Sequence, residues 1–344
     1  MVTGNLGYIG PSVVSQLRKC HPKASIIGMD LGFFENCLTG KASSDQFLDR
    51  QIYKDIRDVD IKDFEDFDAI IHLAAISNDP MGKKFEKVTD EINAKASIKI
   101  AELAKTAKVK NYVFASSCSV YGEESEFPKK EKDNLNPLTA YAKSKINTEL
   151  GIKDLASDSF NVTCLRFATA CGFSSRTRLD LVLNDFVAAA IADKNIKILS
   201  DGSPWRPLIH VSDMARAIDW ASTRRSNNGG ALLIVNVGSN EWNYKILDLA
   251  EAVAEQIPGT SVEVNSDATP DKRSYKVDFS KFFELAPAYQ PKVTLKEAIE
   301  DLKDGLISMK FSNSDFRNSD YIRLNVLNDH INSQRITDSL SWNK

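Results

Sequence analysis

The sequence predicts an α/β protein, a doubly wound parallel sheet with helices on both faces and a smaller C-terminal α/β cap. Three observations carry this. Short apolar runs of strand length recur between segments of helical spacing, which is the pattern of βαβ units. Gly4, Gly7 and Gly10 stand at G-x-x-G-x-x-G spacing between a strand end and a helix start. The chain of 344 residues is long enough for two domains or one elaborated domain.

The first strand has only Met1 and Val2 before Thr3, so either it is unusually short or the start of the chain is clipped. Pro11–Arg18 reads as the helix after the glycines. A strand, a glycine turn and a helix bring backbone N–H groups and a positive helix end to a dinucleotide pyrophosphate. A Cβ at Gly4, Gly7 or Gly10 blocks close approach or tight packing, and Tyr8 and Ile9 share the turn. Residues 24–30 form a strand ending in Asp30, 20 residues past Gly10. A carboxylate there accepts hydrogen bonds from an adenosine ribose and repels a 2′-phosphate, which favours NAD over NADP. The alternative for Asp30 is a solvated strand end.

Residues 52–57 give a strand and loop in which Asp55 and Ile56 bracket an adenine. Residues 68–75 form a buried strand whose small end, Leu73-Ala74-Ala75, lets the chain pass close to a cofactor. His72 reads as a packed core histidine rather than a catalyst. Residues 84–108 have helical spacing, and Asn93 lies inside them. The strand 111–117 then delivers Ser116, Ser117, Cys118 and Ser119 to the carboxyl end of the sheet, where parallel sheets place ligands. Pro137 opens a helix carrying Tyr141 and Lys145, four apart on one face. An ammonium beside a phenol favours tyrosinate, lowering a pKa ordinarily near ~10 and making a usable acid/base. Ser117 is placed to bond the same substrate oxygen.

Composition sets the class. Apolar residues make up 42%, charged residues 26%, and formal net charge is −3. There is no basic block of nucleic-acid type and no apolar run long enough to span a bilayer, and the first residues given do not have the pattern expected of a secretory signal. The five cysteines include no C-x-x-C pair, so a reduced cytoplasmic setting is expected, with neither a disulfide framework nor a metal site.

T-G-x-x-G-x-x-G at Thr3–Gly10, H-L-A-A at His72–Ala75, S-S-x-S-V-Y-G at Ser116–Gly122 and Y-x-x-x-K at Tyr141–Lys145 resemble the extended short-chain dehydrogenase/reductases. Within them the chain resembles the NAD-dependent epimerase/dehydratase family acting on nucleotide sugars, over roughly residues 1–305. The resemblance implies a Rossmann NAD domain (1–170), a substrate region (171–305, with 206–238 partly returning to the sheet) and a C-terminal extension (306–344). It makes Tyr141 the acid/base, Lys145 its partner and a ribose contact, and Ser117 the assisting hydroxyl, with Asn93 on the cofactor side. Substrate contacts are expected from Ser77, Ser119, Thr169, Asn184, Arg206 and Arg273, the two arginines on a diphosphate. In 4,6-dehydratases of this kind an Asp-Glu pair follows the hydroxyl. Here Cys118 and Ser119 stand there, which argues against dehydration.

Some positions depart from family habit. Ala168-Thr169 replaces an aromatic-Asn pair, Cys171-Gly172 a Tyr-Gly, and Pro207 an acidic residue. Arg176 and Arg178 either grip phosphate or are solvated loop arginines. Asp213 is expected to cap the helix it precedes. The extension reads as a short helix and a tail packed on the domain or on a partner subunit. The expected reaction is reversible oxidation of a hydroxyl on a nucleotide-diphosphate sugar by NAD, as in an epimerase, in a homodimer. The rivals are a 4-keto-sugar reductase, a dehydrogenase of a non-sugar alcohol, and a non-catalytic dinucleotide sensor.

Overall fold

Ten strands carry the architecture that positions the cleft: β1 (Val2–Thr3), β2 (Ile27–Asp30), β3 (Arg50–Tyr53), β4 (Ala69–His72), β5 (Asn111–Ser117), β6 (Asn161–Phe167), β7 (Thr169–Cys171), β8 (Asn195–Ile198), β9 (Trp205–His210) and β10 (Leu232–Val237). The computed structural model describes residues 1–40, 44–122, 127–265, 267–268 and 274–343. Seven of these strands form one parallel sheet in the order β10-β6-β5-β4-β1-β2-β3. The two-residue β1 suffices at its centre, because Val2 and Thr3 pair with β2 on one side and β4 on the other. The winding reverses between β1 and β4, so the crevice beyond their carboxyl ends is where a ligand is expected.

Helix α1 (Gly10–Cys20) follows β1, and residues 79–106 run through α2 (Asp79–Lys84), α3 (Glu86–Asp90), a π-helical turn (Glu91–Ala96) and α4 (Ser97–Thr106). Next come α5 (Ala140–Ile152), α6 (Val182–Ala192) and α7 (Val211–Thr223). On one face Val13, Val14 and Leu17 of α1 are buried, and Val13 and Leu17 join Ala217 and Ile218 of α7 in one core. On the other, Ile100, Ala101 and Ala104 of α4 pack with Tyr112, Phe114 and Val162 of the strands. Strands buried on both faces read as the near-continuous apolar runs that marked them in the sequence. A third core joins α6 and β8 to α8 (Ile246–Gln256), α9 (Ser280–Leu285) lying apart and α10 (Leu295–Ser308) contributing Ile299 and Leu302.

His72 is buried as expected, its Nδ1 2.6 Å from Thr3 Oγ1 and its Nε2 2.7 Å from Ser97 Oγ. Burial pulls its pKa down to about 3, so the ring is neutral. Asp213 departs from its expected role. The helix it opens is capped by His210, and its carboxylate instead accepts from the backbone of Lys292 and Val293, 3.0 and 3.1 Å away. It fastens the lead-in to α10. The extension, including α11 (Arg323–Asn332), packs on the molecule's own domains: Leu327, Ile336 and Leu340 join the core of Met29 and Ile56, and Phe311 and Phe316 join the third core. Among the described residues no helix is long and apolar enough to cross a membrane.

Candidate active site

The glycine turn is built against the neighbouring strand end. Gly4 has φ +74°, and a Cβ there meets the Ala74 backbone nitrogen at 2.5 Å. A Cβ on Gly10 meets the Asn5 carbonyl oxygen at 2.1 Å. No side chain caps α1, and the Gly10 end of the helix lies beside Gly7 and Ile9 at the cleft. Asp30 ends β2 at this point and accepts hydrogen bonds from Gly32 N (2.8 Å) and Leu6 N (3.2 Å). Burial pushes its carboxyl up, and these amides pull it back. Asp55 lies farther along with Ile56, its carboxylate gripped by Arg57 Nη2 at 2.6 Å and Nε at 3.0 Å.

All these elements line one cleft of about 1190 Å³, with Tyr8, Leu73, Ala74 and Ala75. A volume of this order exceeds an ordinary small-ligand pocket and suits a dinucleotide with a second ligand. Among the described residues no group of His, Cys, Asp or Glu is arranged to hold a metal ion.

The chemical groups meet on the cleft floor. Ser117 ends β5, and its Oγ accepts from Ser119 N at 3.2 Å. Ser119 Oγ is buried at the cleft with no hydrogen-bond partner among the described residues. Thr139 caps α5, its Oγ1 accepting from Ala142 N at 3.1 Å, and so sets the helix that presents Tyr141. Tyr141 lines the cleft beside Ser117, which favours its ionised form.

The expected depression of its pKa is not found. Burial pushes Tyr141 up to about 12, against the opposing pull of Ser117, and nearby Asp79 adds to the rise. Lys145 spends its ammonium elsewhere: Nζ donates to Ala115 O at 2.7 Å and lies 5.5 Å from the Tyr141 ring centre. Burial lowers its own pKa to about 8, with Glu149 pulling it back up. One turn farther along α5, Glu149 accepts from Ser116 Oγ (2.6 Å), Arg166 Nε (3.0 Å) and Arg166 Nη2 (2.6 Å). This buried pair ties α5 to β5 and β6 beneath the site.

Two predicted ligand contacts are braces instead. Asn93 lies in the π-helical turn with its amide fully used: Oδ1 accepts from Ile76 N at 2.8 Å, and Nδ2 donates to Ile76 O (2.9 Å) and Ser144 Oγ (3.2 Å). It fixes the loop after β4 against α5 and does not line the cleft. Asn184 is completely buried. It accepts from Gly172 N and donates to Arg178 O and to the Tyr8 hydroxyl, at 3.1, 2.8 and 3.0 Å. Sequence position alone cannot show that an amide is already satisfied by backbone.

The other substrate-side residues that are described reach the cleft. Ser77, Thr169 and Arg206 line it. Arg206 Nη1 donates to Trp205 O at 2.8 Å, and its guanidinium lies 5.8 Å from the Tyr275 ring centre. Arg273 lies outside the described residues. Neither loop arginine is solvated. Arg176 pairs with Asp45 at 2.8 Å away from the cleft, whereas Arg178 lines it, held bidentately by Asp180 at 2.8 Å with Nη1 donating to Ser77 Oγ at 2.7 Å. Residues not anticipated at the cleft include Asn78, Asp79, Tyr275, Phe33 and Phe34. For the first pair a signal existed. Asn78-Asp79-Pro80 is a helix-start pattern, and Asn78 does cap α2 by accepting from Met81 N at 2.9 Å.

Residues 1–238 match the family model described as "NAD dependent epimerase/dehydratase family". The chain belongs to this family. The family is NAD-dependent. Relatives include a putative UDP-glucose 4-epimerase of Methanocaldococcus jannaschii, 26% identical over 87% of this chain and 95% of that one. The UDP-glucose 4-epimerase of Mycolicibacterium smegmatis is 28% identical over the same shares. In fold the chain is similar to MoeE5 solved with UDP-glucose and NAD, with a TM-score of 0.74 and 23% identity over 89% of this chain and 98% of that one.

Proposed function

We propose that this protein is an NAD-dependent epimerase of a nucleotide-diphosphate sugar, using Tyr141 as its acid/base. The observation that carries the reading is that Tyr141, Ser117 and Lys145 line one cleft together with the glycine turn and Arg206. Relatives named as UDP-glucose 4-epimerases along almost their whole lengths support it.

In this reading Gly4, Gly7, Gly10 and the α1 amides hold the cofactor pyrophosphate, Asp30 the adenosine ribose, and Asp55 with Ile56 the adenine edge. Tyr141 takes the proton of the sugar hydroxyl, and Ser117 holds the same oxygen. Lys145 contacts the nicotinamide ribose and adds positive charge beside the phenolate. NAD, when bound, accepts the hydride from the sugar carbon and returns it. Because burial holds Tyr141 near 12, forming the phenolate depends on charge that arrives with ligands and on Lys145 turning from Ala115 O. Arg206 faces the substrate diphosphate, where charge-assisted hydrogen bonds are strong. Ser119, Ser77 and Thr169 meet the sugar. Cys118 supplies no acid or base for dehydration: it is buried, its thiol held well above its ordinary range, with Sγ donating to Arg166 O at 3.1 Å. Residues 1–170 serve as the cofactor domain and 171–305 as the substrate region, and the enzyme works in the cytoplasm as a homodimer. Mass spectrometry of small molecules released on denaturing the purified protein tests the assignment. NAD with a nucleotide sugar is expected; NADP in place of NAD would contradict the role of Asp30, and a released ligand without a diphosphate would contradict that of Arg206.

A further inference from the structure

The extension lies beyond the family match, yet it is built into the wall of the cofactor cleft. Leu31, Phe33 and Phe34 follow Asp30 and line the cleft. Each is held by the C-terminal segment, whose Ile322 and Arg323 also line the cleft. Trp342 Nε1 donates to Leu31 O at 2.7 Å, and its ring lies 5.2 Å from that of Phe33. His330 Nε2 donates to Phe33 O at 3.0 Å, and its ring lies 5.2 Å from that of Trp342. Arg323, almost wholly buried, places its guanidinium 5.4 Å from the Phe34 ring centre while Nη2 donates to Arg176 O at 2.8 Å.

The loop carrying Asp55 and Ile56 is held by the same segment. Arg57 grips Asp55 and also donates to Ser339 O, Leu340 O and Ser341 Oγ, each at 2.7 Å. The tail itself is folded rather than draped: Ile336 and Trp342 bridge antiparallel, and Ile336 and Leu340 are buried. A surface loop made of Leu-Gly-Phe-Phe has few backbone partners of its own, so its order depends on what packs behind it.

We propose that the C-terminal segment around Trp342 is a clasp that orders the Leu31–Phe34 and Asp55–Ile56 walls and so sets how tightly NAD is retained. This rests on the reading of the cleft as the NAD site. Trp342 touches the wall and not the cofactor, so it is a positioning residue. Order supplied in advance of binding is order the cofactor need not impose, and affinity rises accordingly.

The test is Trp342→Ala beside Trp342→Phe in the full chain. Trp342 is 39% exposed, so its loss leaves the buried tail residues in place. Titration calorimetry with NAD measures affinity, and amide hydrogen exchange measures the order of residues 31–37. Losing the ring contact on Phe33 and the hydrogen bond to Leu31 O predicts NAD affinity about tenfold weaker for Trp342→Ala. Exchange should rise in the 31–37 wall alone, with Trp342→Phe in between. Unchanged affinity overturns the proposal, with or without faster exchange in the wall. Weaker affinity accompanied by faster exchange throughout the central sheet also overturns it, because that is general destabilisation. A wild-type chain that binds no NAD overturns the reading of the cleft itself, an outcome the wild-type titration shows separately.

Discussion

Replacing Glu149 with Gln removes the anion paired with Arg166 beneath Tyr141 and Lys145 of α5. The two side chains are 3% and 4% exposed, joined at 2.6 Å. Gln keeps the shape but turns amide hydrogens toward a guanidinium and toward Ser116, which now donates to the carboxylate at 2.6 Å. Stranding one member of a buried ion pair costs about 3–5 kcal/mol, a large part of the roughly 5–15 kcal/mol that hold a domain folded. Urea unfolding followed by circular dichroism should show a markedly lower midpoint for Glu149→Gln. Adding Arg166→Met removes the stranded charge and should recover much of the loss, since Tyr121 keeps its bond to Asn236 Oδ1 at 2.7 Å. Glu149 also pulls Lys145 upward, so Glu149→Gln lowers the Lys145 pKa further and moves the alkaline limb of the pH–rate profile to lower pH. A Glu149→Gln protein within about 1 kcal/mol of wild type, or a double variant weaker than the single, would refute the assignment of this pair.

Lys145 sits below its ordinary 10.5, at about 8, because burial disfavours its charge. The unfolded chain therefore binds more protons between those values, and this group makes stability climb with pH across that window. A shift of that size corresponds to about 3 kcal/mol, so Lys145→Met should raise the urea midpoint at pH 7, flatten that climb and still lose turnover. Tyr141 acts oppositely: with its pKa raised from 10.0 to about 12, stability falls with pH over that interval, a fall that Tyr141→Phe should reduce in the same titrations. Gly10→Ala drives a Cβ to 2.1 Å from Asn5 O and should abolish NAD binding or folding, as judged by calorimetry and circular dichroism. Asn93→Ala strands both backbone groups of Ile76 and should cost about 2–3 kcal/mol in urea unfolding, with hydrogen exchange faster in residues 73–79.

The sheet was legible because its strands are buried on both faces and so appear as apolar runs. Residues 111–117 were read to the residue, whereas the strand read at 24–30 shortens to Ile27–Asp30. The first strand looked too short to read as one, yet Val2 and Thr3 pair on both sides, with β2 and with β4. The cleft was legible where chemistry depends on backbone shape and helical spacing, as at Gly4, Asp30, Tyr141 and Lys145. It was not legible where a side chain's partners come from distant segments. Asn93 and Asn184 offer the right amides in the right places, and backbone groups have already used them. Spacing put Lys145 on the face of Tyr141, but the balance between burial and charge requires knowing that Ala115 O takes the ammonium. Nothing local in Arg323 or Trp342 shows that they pack on a wall made by Phe33 and Phe34.

The most direct measurement incubates the purified protein with UDP-glucose and follows bound NAD absorbance and product by chromatography, for wild type and Tyr141→Phe. The proposed chemistry predicts formation of the C4 epimer with NAD regenerated, and turnover in Tyr141→Phe reduced by about 100-fold or more with NAD affinity retained. Should UDP-glucose prove not to be the sugar, the same comparison applies to other nucleotide sugars. Tyr141→Phe turning over its substrate at the wild-type rate would contradict the central claim.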